Sequence, residues 1–528
     1  MNYFDFHTHV LLKQLFEDQP DIGLMVGQRD VKFIPKLCSD LPYIIESQIH
    51  QSQLLSLKSP VLVGAVLYGM ESYLADVVDP LRSYLKDASQ FKVSDTVLKA
   101  IGAPAFKTFT SFTLTNTMNR YLGAPDFFRV LNKANCKQPL NGEKVNIFFV
   151  VEGCHSLVDS KNRVDLNRSD GYDPKEILAN LDVLLKKAPI LSVNLTHLQQ
   201  SNLCNHAFGM QIADPSDFYP TGNGLDNAGR TVVQGLFDRK VCVDVKHMSY
   251  FSRLQLRNEI DAGKYKNIQP LLCTHAGFTG TAFDDWPAFI RVKKPLNASV
   301  LYLEITKNIQ SKYNPSRPGA AAFNLSTINL FDEEIVWIVR NGGMIGLSMD
   351  RRILGFVGQN DQRPTGLDPD CPFTVDKEYL SSAEWKGLEI SDGQIGGAVH
   401  PDNCELLSEV VQSTNSDIPT RNTFFYAHVL LHIKHFLQVC IKAGIPLDTA
   451  RKQLTIGSDF DGVINPFINF QTCLDMPGLK SYIHGNLHSF LKDLTDSAKW
   501  ADQLDIDSFT EDLFFNNGYN FVTSFLAR

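Results

Sequence analysis

The chain has 528 residues, 44% of them hydrophobic and 20% charged, with 50 Lys+Arg against 58 Asp+Glu and a formal net charge of −8. That composition describes a globular protein, and without a dense basic run it argues against nucleic acid or an anionic membrane as the main partner. Apolar runs are short, VLVGAVLYGM at 61–70 being typical, and none approaches the roughly 18 residues that a membrane span needs.

In chain order, eight short apolar runs end in polar tips: NYFDFHTH (2–9), PVLVGAVLYGME (60–71), VNIFFVVEG (145–153), LSVNLTH (191–197), VCVDVKH (241–247), QPLLCTHA (269–276), GGMIGLSMD (342–350) and QLTIGSDFDG (453–462). Their nearly continuous hydrophobicity is that of strands buried on both faces of a parallel sheet. Helices are predicted between them at 73–88, 176–188, 229–240, 331–341 and 428–444, where apolar residues recur at i, i+3, i+4. The alternation predicts an α/β fold, a (β/α)8 TIM barrel with large loop insertions. Since such a barrel takes roughly 250 residues, residues 1–528 read as one barrel with insertions at about 90–140, 286–328 and 354–420. All three are expected to extend loops at the C-terminal face of the barrel, or helices near it.

The ten cysteines are scattered, Cys242, Cys273 and Cys440 lie in apolar segments, and no CxxC pair occurs. Buried reduced thiols are expected. The first strand begins too near the start for a secretory signal, so a cytoplasmic location is expected.

The strand tips carry the chemistry. His7 and His9 end the first strand, Glu152 the third, His197 the fourth, His247 the fifth, His275 the sixth and Asp459 the eighth. In a strand, residues i and i+2 face one side, so His7 and His9 can reach one ion. Five of the 14 histidines fall on these tips, which chance explains poorly. The set could hold two divalent ions, His7 and His9 on one, His247 and His275 on the other, with Glu152 bridging. Imidazole with carboxylate suits zinc best. A water between two such ions becomes a nucleophile near neutral pH. Asp459 could take its proton and pass it to a leaving amine, and His197 could hydrogen-bond the developing oxyanion.

Each residue also has a plainer reading. Glu152 could open a helix, His197 could be a satisfied polar side chain and Asp459 could cap the DFDG turn. His155 reads as a loop anchor, and His428, His432 and His435, on one helix, read as packing or surface residues. Lys246 should point away from its neighbour His247.

With these residues in view, the chain resembles the membrane (renal) dipeptidase family of binuclear zinc barrels in the amidohydrolase superfamily. VVEGCHS (150–156), LTH (195–197), GLDNAGRTVV (224–233) followed by VDVKHMS (243–249), THAG (274–277), HIKH (432–435) and GSDFDG (457–462) are similar in order and spacing to that family's segments. The resemblance implies a zinc-dependent hydrolase cleaving the amide bond of dipeptides, with His7, His9, Glu152, His247 and His275 as metal ligands. His197 and Asp459 would polarise the substrate and transfer the proton, and a homodimer fits the family's habit. Two departures stand out. The first motif is H-x-H where the family has H-x-D. The Arg that clamps a dipeptide carboxylate in the family aligns with Ile328 in TINLFDEE (327–334), leaving Arg291, Arg317, Arg351 and Arg352 as substitutes. The competing readings are another amidohydrolase acting on a non-peptide amide or ester, and a barrel that binds without turnover.

Overall fold

The computed structural model describes residues 1–18, 21–25, 47–71, 106–159, 171–209, 218–306, 322–355, 375–396, 418–462 and 470–528, with single positions between them. The helix expected at 73–88 and Arg317 lie outside the described residues.

All eight expected strands form. They are β1 (Tyr3–Thr8), β2 (Val61–Tyr68), β3 (Val145–Glu152), β4 (Ile190–Asn194), β5 (Cys242–Asp244), β6 (Leu272–Ala276), β7 (Met344–Leu347) and β8 (Leu454–Ile456). They pair in parallel in chain order. β8 returns to β1 where Asp459 N donates to His7 O at 3.0 Å and His9 N to Phe460 O at 3.0 Å. Closure removes the sheet edges and makes a (β/α)8-type barrel.

Alternation along the strands explains why their sequences read as unbroken apolar runs. Phe4, Phe6, Leu62, Val66, Phe148, Val150, Leu191, Cys242, Leu272 and Met344 pack together in one cluster. The alternate residues, among them Val61, Val63, Ala65, Val145, Ile147 and Phe149, belong to a second, larger one. Burial on both faces therefore selects apolar residues at every position.

The connecting helices include α1 (Pro174–Leu185), α2 (Asn227–Asp238), α3 (Tyr250–Asp261), α4 (Asp332–Arg340), α5 (Ile418–Lys442), α6 (Met476–Asp493) and α7 (Asn517–Leu526). Asp173 caps α1 by accepting from Lys175 N, with Pro174 in the first turn, where a missing N–H costs nothing. α7 packs on the barrel interior, with the Phe521 ring edge-on to Phe6.

The three long stretches are not simply loops at the C-terminal face. Phe128–Val130 pairs in parallel with the first half of β3, which puts it at the opposite end. Ile290–Pro295, Val300–Thr306 and Val375–Ser381 form a separate antiparallel sheet, joining parts of two stretches that are far apart in sequence. That sheet has its own core around Trp286, Leu303, Phe331 and Trp385. Two buried carboxylates tie it to the barrel. Glu378 accepts from Ser326 Oγ and Thr327 N, each at 2.7 Å, and Glu384 from Gly224 N at 2.8 Å and Ser249 Oγ at 2.6 Å. Burial raises both to about 7, and these bonds limit the rise.

Among the described residues no helix is long and apolar enough to cross a membrane. The seven described cysteines, including Cys242, Cys273 and Cys440, are free and buried.

Candidate metal centre

The barrel brings all seven strand-tip residues to one place. Glu152, at the end of β3, is its hub. Its Oε1 lies 3.3 Å from His7 Nε2, 3.2 Å from His247 Nε2, 3.6 Å from His275 Nε2 and 3.6 Å from His197 Nε2. Its Oε2 lies 3.3 Å from His9 Nε2. Oε1 thus faces four imidazoles and Oε2 one. His247 and His275 approach each other at 3.0 Å between Nε2 atoms. Asp459 Oδ1 sits 3.3 Å from His9 Nε2 and 3.9 Å from His7 Nε2.

Burial grades the set. The side chains of His7, His9, Glu152 and His275 are at most 3% exposed, whereas His197 is 12% and Asp459 14% exposed. The two residues expected to handle substrate are therefore the ones nearest solvent. Backbone strain gathers here as well. His247 has φ 69° and Asp459 φ 62°, conformations that cost a non-glycine residue and persist where the surroundings fix them.

The electrostatics follow from burial and crowding. Burial alone would raise Glu152, but the surrounding imidazoles, His197 and His7 foremost, hold it well below the usual carboxylate range. Burial, then the charge of His197, pushes His247 down to about 3. Burial, then His7 and His247, puts His275 well below the usual imidazole value. Burial also raises Asp459. His9 goes the other way: burial lowers it, but the facing Asp459 and Glu152 carboxylates outweigh that and bring it to about 9.

These donors suit a divalent cation. His7 Nε2, His247 Nδ1 and Asp459 Oδ1 are buried atoms with no hydrogen-bond partner, a costly state for polar groups. Three groups of three residues bring their ligand atoms within 4.8 Å of one another: His7, Glu152 and His275; His7, His9 and Asp459; Glu152, His197 and His247. Imidazole nitrogens converging on a shared carboxylate are what zinc and similar ions select.

The sequence reading missed the support behind the site. Glu71, just past β2 and 2% exposed, accepts from His197 Nδ1 at 2.5 Å and from the Tyr68 hydroxyl. Burial would raise Glu71, but His197 and His155 pull it down to about 2. Its signal was the acidic end of the quoted run PVLVGAVLYGME, the one barrel strand before β4 whose tip was passed over. Asp244 and Thr274, inside β5 and β6, form a second support. Thr274 Oγ1 touches Asp244 Oδ2 and lies 2.9 Å from His7 Nδ1 and 3.1 Å from His275 Nδ1. Gly346 and Gly457 make room for that strand: a Cβ on either would fall 2.0 or 1.8 Å from the Thr274 carbonyl oxygen.

Other residues take plainer places. His155 donates from Nε2 to the Gly69 carbonyl at 2.6 Å, anchoring the loop. His432 bonds to the His428 carbonyl on α5 at 3.0 Å, and His435 pairs with Asp332 at 2.7 Å. Lys246 is buried, and its Nζ has no hydrogen-bond partner. In DFDG, Asp461 accepts from Gln48 N at 2.8 Å, pinning the segment before β2. Ile328 is buried, its side chain close to Gly209. Of the candidate arginines, Arg352 pairs with Asp350 at 2.7 Å, Arg351 is buried and Arg291 is exposed on the antiparallel sheet.

No family model matches the sequence, and no curated protein does. Two solved structures are similar in fold. One is a dipeptidase described as a metallo peptidase of family M19, with TM-score 0.50, 13% identity, and coverage of 100% of this chain and 99% of that one. The other is a metallo peptidase from Rhodobacter sphaeroides liganded with a phosphinate mimic of the dipeptide L-Ala-D-Ala, with the same score, identity and coverage. At that identity the likeness shows the barrel fold end to end.

Proposed function

We propose that the chain is a metal-dependent hydrolase that cleaves the amide bond of dipeptides or closely related small amides, with zinc at the strand tips. One observation carries the reading: five imidazoles from four strands converge on Glu152 at 3.2–3.6 Å, with Asp459 3.3 Å from His9. The fold shared with a dipeptidase and with a dipeptide-mimic-bound peptidase supports the choice of substrate class.

In this reading His7, His9, Glu152, His247 and His275 hold the metal. A divalent pair supplies Lewis acidity there, acidifying a water and polarising a carbonyl. The protein does the rest. Glu152 would help hold the metal through its carboxylate, Oε1 facing His7, His197, His247 and His275 and Oε2 facing His9. Asp459, raised by burial and reaching the open side, accepts a proton and returns it to the leaving amine. His197, fixed through Nδ1 by Glu71, presents Nε2 to the substrate oxygen. Deep burial of the ligands keeps bulk water from competing.

A second reading has its own observation. Ile328 puts an apolar side chain where the resembled family has its carboxylate-binding Arg. That favours an amidohydrolase whose substrate, a non-peptide amide or ester, lacks a free carboxylate. A turnover panel of L-L and L-D dipeptides beside their C-terminal amides, run on the zinc-loaded chain, separates the two. Dipeptides turned over faster than amides support the first reading, the reverse order supports the second, and no turnover of either sinks both.

A further inference from the structure

We propose that Thr274 is a positioning residue that sets the tautomer of two metal-ligating histidines at once, both facing Oε1 of Glu152. The inference rests on the metal-centre reading above. A hydroxyl has one proton to donate and two lone pairs to accept with. Thr274 Oγ1 has three neighbours: Asp244 Oδ2, His7 Nδ1 at 2.9 Å and His275 Nδ1 at 3.1 Å. The Thr274 hydroxyl donates to Asp244 Oδ2, while the other Asp244 oxygen accepts from Lys246 N at 3.1 Å and Thr274 N at 3.3 Å. Both lone pairs remain, and each imidazole must bring its own Nδ1–H to them.

The consequence falls on the far side of both rings. With the proton on Nδ1, a neutral imidazole carries its lone pair on Nε2. His7 Nε2 and His275 Nε2 then point lone pairs at Glu152 Oε1, 3.3 and 3.6 Å away. Three acceptors face one another, and His7 Nε2 accordingly has no hydrogen-bond partner. A cation among them would give all three a partner at once. One buried hydroxyl thus prepares two ligands, and its loss should weaken zinc binding. Gly346 and Gly457 belong to the same device, because only a residue without Cβ lets β7 and β8 come so close to the Thr274 carbonyl.

The test uses the full chain, stripped of metal, with zinc as the probe and a competing chromophoric chelator as the readout. Thr274→Val keeps the shape and removes the hydroxyl, and Thr274→Ser restores it. Zinc affinity should fall by about 10–100-fold in the valine variant and stay near wild type in the serine variant, the usual scale for lost outer contacts. Equal affinity in wild type and Thr274→Val, or a serine variant as weak as valine, overturns the proposal. A second measurement needs no variant of Thr274: histidine 15N spectra of the metal-free wild type, assigned through His7→Gln and His275→Gln. Both residues should appear as Nδ1–H tautomers, and an Nε2–H tautomer at either overturns it. Wild type that binds no zinc would refute the metal-centre reading, while the spectra would still decide the tautomers.

Discussion

Replacing Glu71 with Gln should move the alkaline limb of the pH–rate profile to lower pH. The Glu71 carboxylate is buried and accepts from His197 Nδ1 at 2.5 Å. Burial lowers His197, but Glu71 first and Glu152 second outweigh it and raise the imidazole to about 8. His197 is thus protonated below that pH and loses its proton above it. If the protonated ring donates to the substrate oxygen, activity should fall as pH rises through that range. Glutamine still accepts the Nδ1–H bond, so orientation survives and only the charge goes. Two unit charges about 4 Å apart interact by about 4 kcal/mol at an effective dielectric of about 20. With about 1.4 kcal/mol per pH unit, that caps the displacement near 3 units, and ordinary single-partner effects are about 1–3 units. Any bound cation lowers the limb in both proteins alike, so the displacement, not the absolute position, is diagnostic. The assay is kcat/KM against pH for zinc-loaded wild type and Glu71→Gln. A limb that stays in place, or moves to higher pH, would refute the role given to the pair.

Glu152→Ala and Asp459→Ala should each abolish turnover, while only Glu152→Ala lowers metal content, since Glu152 touches every imidazole of the site and Asp459 faces its open side; elemental analysis beside a ninhydrin assay checks both. Gly457→Ala should prevent a normal barrel, because its Cβ would fall 1.8 Å from a backbone oxygen that cannot yield; a lost or strongly lowered melting transition is the expected sign. Arg253→Met should lower thermal stability by removing a fully buried partner of Glu334, bonded at 2.8 and 2.9 Å, along with bonds to three carbonyls. Leaving such a carboxylate alone costs about 3–5 kcal/mol, and melting of Arg253→Met against Arg253→Met/Glu334→Gln should show the second change recovering part of the loss.

The barrel was legible because burial on both faces writes a continuous apolar run for each strand, and the strand-tip cluster was legible because a barrel gathers its strand tips. Most of what stayed hidden lacks such a local signature. The antiparallel sheet pairs 300–306 with 375–381, and no sequence periodicity reports a partner that distant. The wide, π-type helix Thr108–Met118 is rich in Thr and carries no amphipathic stripe. α3 went unmarked because its apolar residues are sparse among polar ones, whereas α6 does carry a stripe, Leu479, Ile483, Leu487 and Leu491 lying four residues apart. Thr274 and Asp244 sit inside apolar strands as isolated polar residues, and only their meeting in space gives them a role. Glu71 lay at a strand tip like the rest, but without a histidine beside it nothing drew it into the set.

The most direct measurement is the zinc content of the purified chain, taken with dipeptide turnover on the same sample. About two zinc ions per chain together with hydrolysis is the expected result, two-metal sites being built for such chemistry. A chain that holds no metal even after reconstitution with zinc would contradict the reading that His7, His9, Glu152, His247 and His275 form a metal centre.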